Sequence, residues 1–135
     1  MENIEFSFSD AWVLTALYSS HRDLDNLDFS GIIAAGDGLN NAILSAEEIR
    51  NAFIKFQSTG LIEKLSTKIE YSEKGKELIQ QCLETKGGQF SRIEITLRKL
   101  RKVAIENVED INDCRFVDSS LIDKAFKKYK SKLMK

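Results

Sequence analysis

One stretch constrains this chain more than any other. Between residues 45 and 71 the sequence carries a helix start, a helix face, a helix stop and a change of period, in that order. Ser45-Ala46-Glu47-Glu48 is a capping-box pattern: the Ser45 hydroxyl can accept the Glu48 N–H, and the Glu48 carboxylate can reach back to the Ser45 N–H. Leu44 and Ile49 flank the box as a hydrophobic staple. Ile49, Phe53 and Phe56 follow at i, i+4 and i+7, one face of a helix. Gly60 ends it, because glycine takes the positive φ that closes a helix without a Cβ clash. After Gly60 the period changes. Residues 61–65 read as a strand, 66–68 as a turn, and Ile69-Glu70-Tyr71 alternates apolar and polar as a second strand does.

The flanks supply more helices. Before this stretch, Ser9 is a candidate cap for a helix carrying Ala11, Val13, Leu14, Leu17 and Tyr18, with Phe8 and Val13 as its staple. A shorter helix is expected from about Asp28 to Ala35, ended by Gly36 and Gly38, with a turn or irregular segment from Asp37 to Leu44. After it, Ser72 can cap a helix reaching about Leu83. Lys86-Gly87-Gly88 is the best internal boundary. Ser91-Arg92-Ile93-Glu94 repeats the capping-box pattern, with Phe90 and Ile95 as staple and Ile93, Leu97, Leu100 and Ala104 as stripe. Residues 106–117 are polar and expected to be irregular. A last helix spans roughly Ser119 to Leu133, with Ile122, Ala125, Phe126, Tyr129 and Leu133 on one side. The expected fold is mainly α with a small β-hairpin wing: a winged helix-turn-helix over residues 1–85, then a helical extension over 86–135 that packs on it or pairs two copies.

Ile49-x3-Phe53-x2-Phe56-x3-Gly60-Leu61-Ile62 resembles the recognition helix and wing entry of bacterial regulators of the PadR and MarR type. Tyr71-Ser72-Glu73-Lys74-Gly75 resembles the "Leu-Thr-x-x-Gly" entry to their next helix. The resemblance covers about residues 8–83. Asp10-Ala11-Trp12-Val13-Leu14 and Ile32-Ile33-Ala34-Ala35-Gly36-Asp37 are also similar to a group of bacterial winged-helix proteins to which no function attaches. The resemblance implies a DNA-binding transcriptional regulator, dimeric through its terminal helices. In that fold the third helix enters the major groove and the hairpin touches the backbone. The positions implied are Arg50 and Asn51 for base edges, Lys64 and Lys68 for phosphates, and Lys55 as a further outward position of the third helix toward DNA.

Charge pulls the other way. The chain has 135 residues and a net charge of −1, but residues 1–50 hold two basic against nine acidic residues, a net of −7. Residues 89–135 hold twelve basic against seven acidic, a net of +5. Glu47 and Glu48 stand at the end of the third helix that should meet phosphate, and Ile54 falls outside its apolar stripe. These suit a winged-helix protein-interaction module, with Glu47 and Ile54 as contacts. Double-stranded DNA and a partner protein are thus the two candidate partners. A homodimer through the C-terminal helices fits either.

Other classes find little support. His21 is the only histidine, and no Cys–His, Ser–His–Asp or paired-carboxylate spacing stands out, so no enzyme is expected. Cys82 and Cys114 are the only cysteines and form no Cys-x-x-Cys pair, so neither a disulfide framework nor a metal site is implied. Gly36-Asp37-Gly38 lacks the Lys-Ser/Thr of a phosphate loop, and no cofactor is called for. No apolar run reaches the ~20 residues of a membrane helix, and the first ten residues do not read as a signal peptide. The expected location is the cytoplasm.

Overall fold

Five of the described helices begin where a short polar side chain takes up a free backbone N–H. The computed structural model describes residues 5–21, 24, 27–65, 68–85, 91–102 and 119–133. Helix α1 is Phe8–Ser20, α2 Phe29–Asn40, α3 Ala46–Ser58, α4 Glu73–Glu84, α5 Arg92–Lys102 and α6 Ser119–Leu133. Strands β1 (Ile62–Leu65) and β2 (Lys68–Tyr71) form one antiparallel hairpin, with Ile62 opposite Tyr71 and Leu65 opposite Lys68. The order helix, helix, helix, hairpin, helix is the expected one. The expected irregular segment at 106–117, the Phe90 staple and Ala104 lie outside the described residues.

The segment that opened the reading folds as its pattern requires. The Glu48 N–H donates to Ser45 Oγ at 3.1 Å, and the Ser45 N–H donates to Glu48 Oε1 at 3.1 Å. Leu44 and Ile49 are fully buried. Gly60 takes φ 75°, its N–H reaches the Gln57 carbonyl, and the Leu61 N–H reaches the Phe56 carbonyl. That pair of bonds is a Schellman ending. The Leu61 carbonyl then accepts both the N–H and the hydroxyl of Ser72, at 3.0 and 3.2 Å. A Cβ on Gly75 would lie 2.2 Å from that same oxygen. The Ser-x-x-Gly run at the start of α4 therefore has a steric reason: only a glycine lets the helix seat against the entry to the wing.

Two helix boundaries differ from expectation. Ser7 caps α1, not Ser9: Ser7 Oγ accepts the Asp10 N–H, and Asp10 Oδ2 accepts the Ser7 N–H at 2.8 Å. Phe8 is then the first helical residue and is 41% exposed, so it staples nothing onto Val13. Phe6, one residue before the cap, is buried and stacks on Phe56 with ring centroids 6.4 Å apart. Helix α2 runs past Gly36 and Gly38 to Asn40, ended by Asn41 in the left-handed conformation at φ 51°. Gly36 is a contact rather than a stop. Its carbonyl accepts the Trp12 indole N–H at 2.9 Å, and a Cβ there would meet Leu44 Cδ1 at 2.7 Å. Close helix packing outweighs the helix-breaking tendency of glycine.

Phe53 and Phe56 lie at the centre of the core, edge-on to each other at 5.9 Å, and Phe29 from α2 meets Phe53 at 6.0 Å. The C-terminal helices close the same core. Helix α5 packs on α1 and α4, and α6 packs on α2 and α3. Ile93, Leu100 and Ile122 join the buried cluster. Between α1 and α5 lies a buried polar knot. Thr15 Oγ1 donates to Thr96 Oγ1 at 2.8 Å, and the Tyr18 hydroxyl lies 2.8 Å from the same atom. Burial raises the Tyr18 phenol and the nearby Cys82 thiol above their ordinary ranges.

A glycine series checks this packing. Gly75→Ala should cost about 1–3 kcal/mol, since backbone cannot yield easily. Gly38→Ala, where a Cβ meets nothing within 4 Å, should gain about 0.5–1 kcal/mol as a helix-interior alanine. Gly36→Ala should fall between them, because a leucine tip can move. Urea unfolding followed by circular dichroism reads the order. A Gly38→Ala variant less stable than its parent would contradict the extended α2.

Candidate functional site

The outward face of α3 is flanked by a helix on each side. Arg50 leans toward α6, where its Nη2 donates to Asp123 Oδ1 at 3.2 Å. Lys55 leans toward α1, where its ammonium donates to Asp10 Oδ2 at 2.6 Å and to the Glu5 carbonyl at 3.1 Å. These pairs differ in kind. Arg50 and Asp123 are 30% and 51% exposed at the side chain, a surface pair of little strength. Asp10 is 3% exposed at the side chain, and its Oδ2 accepts from the Ser7 N–H, the Ser7 hydroxyl and the Lys55 ammonium. A buried carboxylate is tolerated only when its charge is compensated in this way. Arg50 Nε is the one buried side-chain polar atom without a hydrogen-bond partner among the described residues.

Between those flanks lies an open groove of about 480 Å³. Ser7, Ser9 and Asp10 form one wall, and Glu47, Glu48, Asn51, Ile54 and Lys55 form the other. Three carboxylates thus face one ammonium, and that ammonium is already paired. Glu48 uses both oxygens, one in the capping box and one accepting the Ser9 hydroxyl at 2.8 Å. Glu47 and Asn51 are exposed. Glu47 makes no ion pair among the described residues. Ile54 is half-buried and supplies the apolar part of the floor.

The seven residues singled out from the sequence are therefore not one cluster. Glu47, Asn51, Ile54 and Lys55 share the groove. Arg50 stands at the α6 side with its charge engaged. Lys64 lies in β1 and Lys68 in β2, and their side chains fall outside the described residues. Sequence reasoning missed Asp10, Ser7 and Asp123. The first two had a signal, since Ser7-x-x-Asp10 is itself a capping-box spacing with Phe6 before it. Asp123 had none, being 73 positions from its partner. Chain comparison adds nothing to the geometry: no family model, no curated protein and no solved structure matches.

A second groove, of about 610 Å³, lies between the end of α1, β2 and α4, and includes Tyr18, His21, Tyr71 and Leu83. His21 is tied into the frame there. Its Nε2 accepts the Asp28 N–H at 3.1 Å, so Nδ1 carries the proton that faces Ser20 Oγ at 2.8 Å. Its carbonyl accepts the Tyr71 hydroxyl at 3.2 Å. No group of three or more His, Cys, Asp or Glu residues is placed to hold a metal ion among the described residues. No described helix is long and apolar enough to cross a membrane.

The two ion pairs should separate in a double-mutant cycle. Removing Asp10 and Lys55 singly and together (Asp10→Asn, Lys55→Met) should reveal a coupling of about 1–3 kcal/mol. The Arg50→Ala and Asp123→Ala cycle should give roughly 0.2–1 kcal/mol. Equal couplings would mean that burial of Asp10 does not set the strength of its pair.

Proposed function

We propose that the chain is a winged-helix interaction module whose third helix engages a protein, with a cationic segment as the natural occupant of the groove between α1 and α3. One observation carries this reading. The two cations of α3 that could meet nucleic acid both pair with carboxylates of this chain, Lys55 with buried Asp10 and Arg50 more loosely with Asp123 at the surface, while Glu47 makes no ion pair among the described residues. A helix that enters the major groove of DNA approaches two rows of phosphates, and a net negative face is repelled there. The same face suits a lysine- or arginine-bearing segment, with Ile54 giving apolar contact and Asn51 free to hydrogen-bond. Nothing in this reading asks for catalysis, a metal or a cofactor.

DNA-binding regulation is the second reading, favoured by the helix-then-hairpin order and by lysines in both wing strands. The C-terminal helices bear on either reading as the place where two copies could pair. The inner sides of α5 and α6 are engaged in this chain's own core, which leaves their outer sides.

Fluorescence anisotropy separates the readings. A labelled oligolysine peptide should bind the full chain, and Glu47→Lys should weaken it roughly fivefold to tenfold by reversing a charge at the contact. A mixed-sequence duplex should bind weakly, with Arg50→Ala and Asn51→Ala leaving that affinity unchanged. Should either alanine variant weaken steeply salt-dependent duplex binding, α3 is a DNA-reading helix and the protein-binding reading fails.

A further inference from the structure

We propose that the occupant of the α1–α3 groove is helix α6 of a second copy of this chain, giving a two-fold dimer held by opposite charges. This rests on the groove being a protein-binding site and adds the identity of the partner. Lys124, Lys127 and Lys128 stand at i, i+3 and i+4 on α6, so they share one face of it. All three are exposed, and none makes an ion pair among the described residues. The helix that bears them is firmly seated. Ile122 is fully buried beneath it, and the Tyr129 hydroxyl donates to Asp37 Oδ2 at 2.7 Å. The lysine row is therefore presented in a fixed place.

That place is beside the groove. Asp123 holds Arg50, and Arg50 is the neighbour of Asn51 and lies one turn from Glu47 and Ile54 on α3. A negative patch and a positive patch thus stand side by side on one surface. Such a surface matches itself after a half-turn about an axis between the patches, and each contact is then made twice. Ile54 gives the groove an apolar contact for the incoming helix. Helix α6 has 15 residues, so it is about 22 Å long. Two contacts of that length make an interface near the small end of those that persist in solution, and association should be modest and electrostatic.

Sedimentation velocity of the full chain over a concentration series tests the idea. A monomer–dimer equilibrium is expected at about 0.1 M salt. Its dissociation constant should rise roughly tenfold or more at about 1 M salt, where the screening length shrinks from about 10 to about 3 Å. Glu47→Lys should be monomeric, and so should the pair Lys127→Glu with Lys128→Glu. Every one of these positions is exposed, and circular dichroism should show both variants folded. Mixing the two variants should restore a dimer, because each contact again joins opposite charges. A monomer at every concentration, a dimer indifferent to these substitutions, or assemblies larger than two would overturn the proposal. In the monomeric case the oligolysine peptide tells which reading failed. Binding lost on Glu47→Lys leaves the groove a protein site without this partner, whereas no binding removes both.

Discussion

The Asp10 carboxylate is the point on which the outward face of α3 depends. It is nearly enclosed, and an enclosed charge must find donors or destabilise the fold. It finds them in two directions. Toward its own helix it accepts from the Ser7 backbone and hydroxyl, which sets where α1 begins. Toward α3 it takes the Lys55 ammonium, which fixes the spacing of the two helices at the groove. One side chain thus places a helix start, joins two helices and engages the only cation among the described residues that line the groove. The acidity of that groove follows from the same requirement.

The remaining helices read as supports for that face. Trp12 ties α1 to α2 through the Gly36 carbonyl, and α2 gives Phe29 to the ring cluster under α3. The wing entry is held by the Leu61 carbonyl, which bridges the end of α3 to the start of α4. Arg92 caps the far end of α4, its guanidinium donating to the Cys82 and Thr85 carbonyls at 2.7 and 3.0 Å. Ser91 starts α5, its hydroxyl accepting the Glu94 N–H at 3.2 Å.

What was legible in the sequence was local. The Ser45 box, the Phe53 and Phe56 stripe, the Gly60 stop and the Ser72 cap each depend on residues within about four positions, and each is found in the structure. Errors arose where a distant contact overrules a local preference. Gly36 and Gly38 are poor helix residues, yet α2 continues through them because Trp12 and Leu44 press against Gly36. The start of α1 was a different case and a local one: Ser7, not Ser9, has an acid three residues on to complete a capping box. The site was half legible. Its residues were named from helix periodicity, and the acids were read as a departure from a DNA-reading face. That Arg50 and Lys55 are held by Asp123 and Asp10 could not be seen, because no local pattern pairs residues 73 or 45 positions apart.

The docking of α6 on α2 and α3 bears on how the chain matures. The Asp37–Tyr129 bond joins residues 92 positions apart, and Arg50–Asp123 closes a span nearly as long. Closing so long a loop is entropically slow compared with forming the local helices and hairpin. During synthesis the first four helices and the wing can assemble while α6 is still inside the ribosome. The face of α3 then passes through an interval in which Arg50 is free and the α6 footprint is uncovered. Docking of α6 ends that interval, so the chain offers different surfaces before and after it.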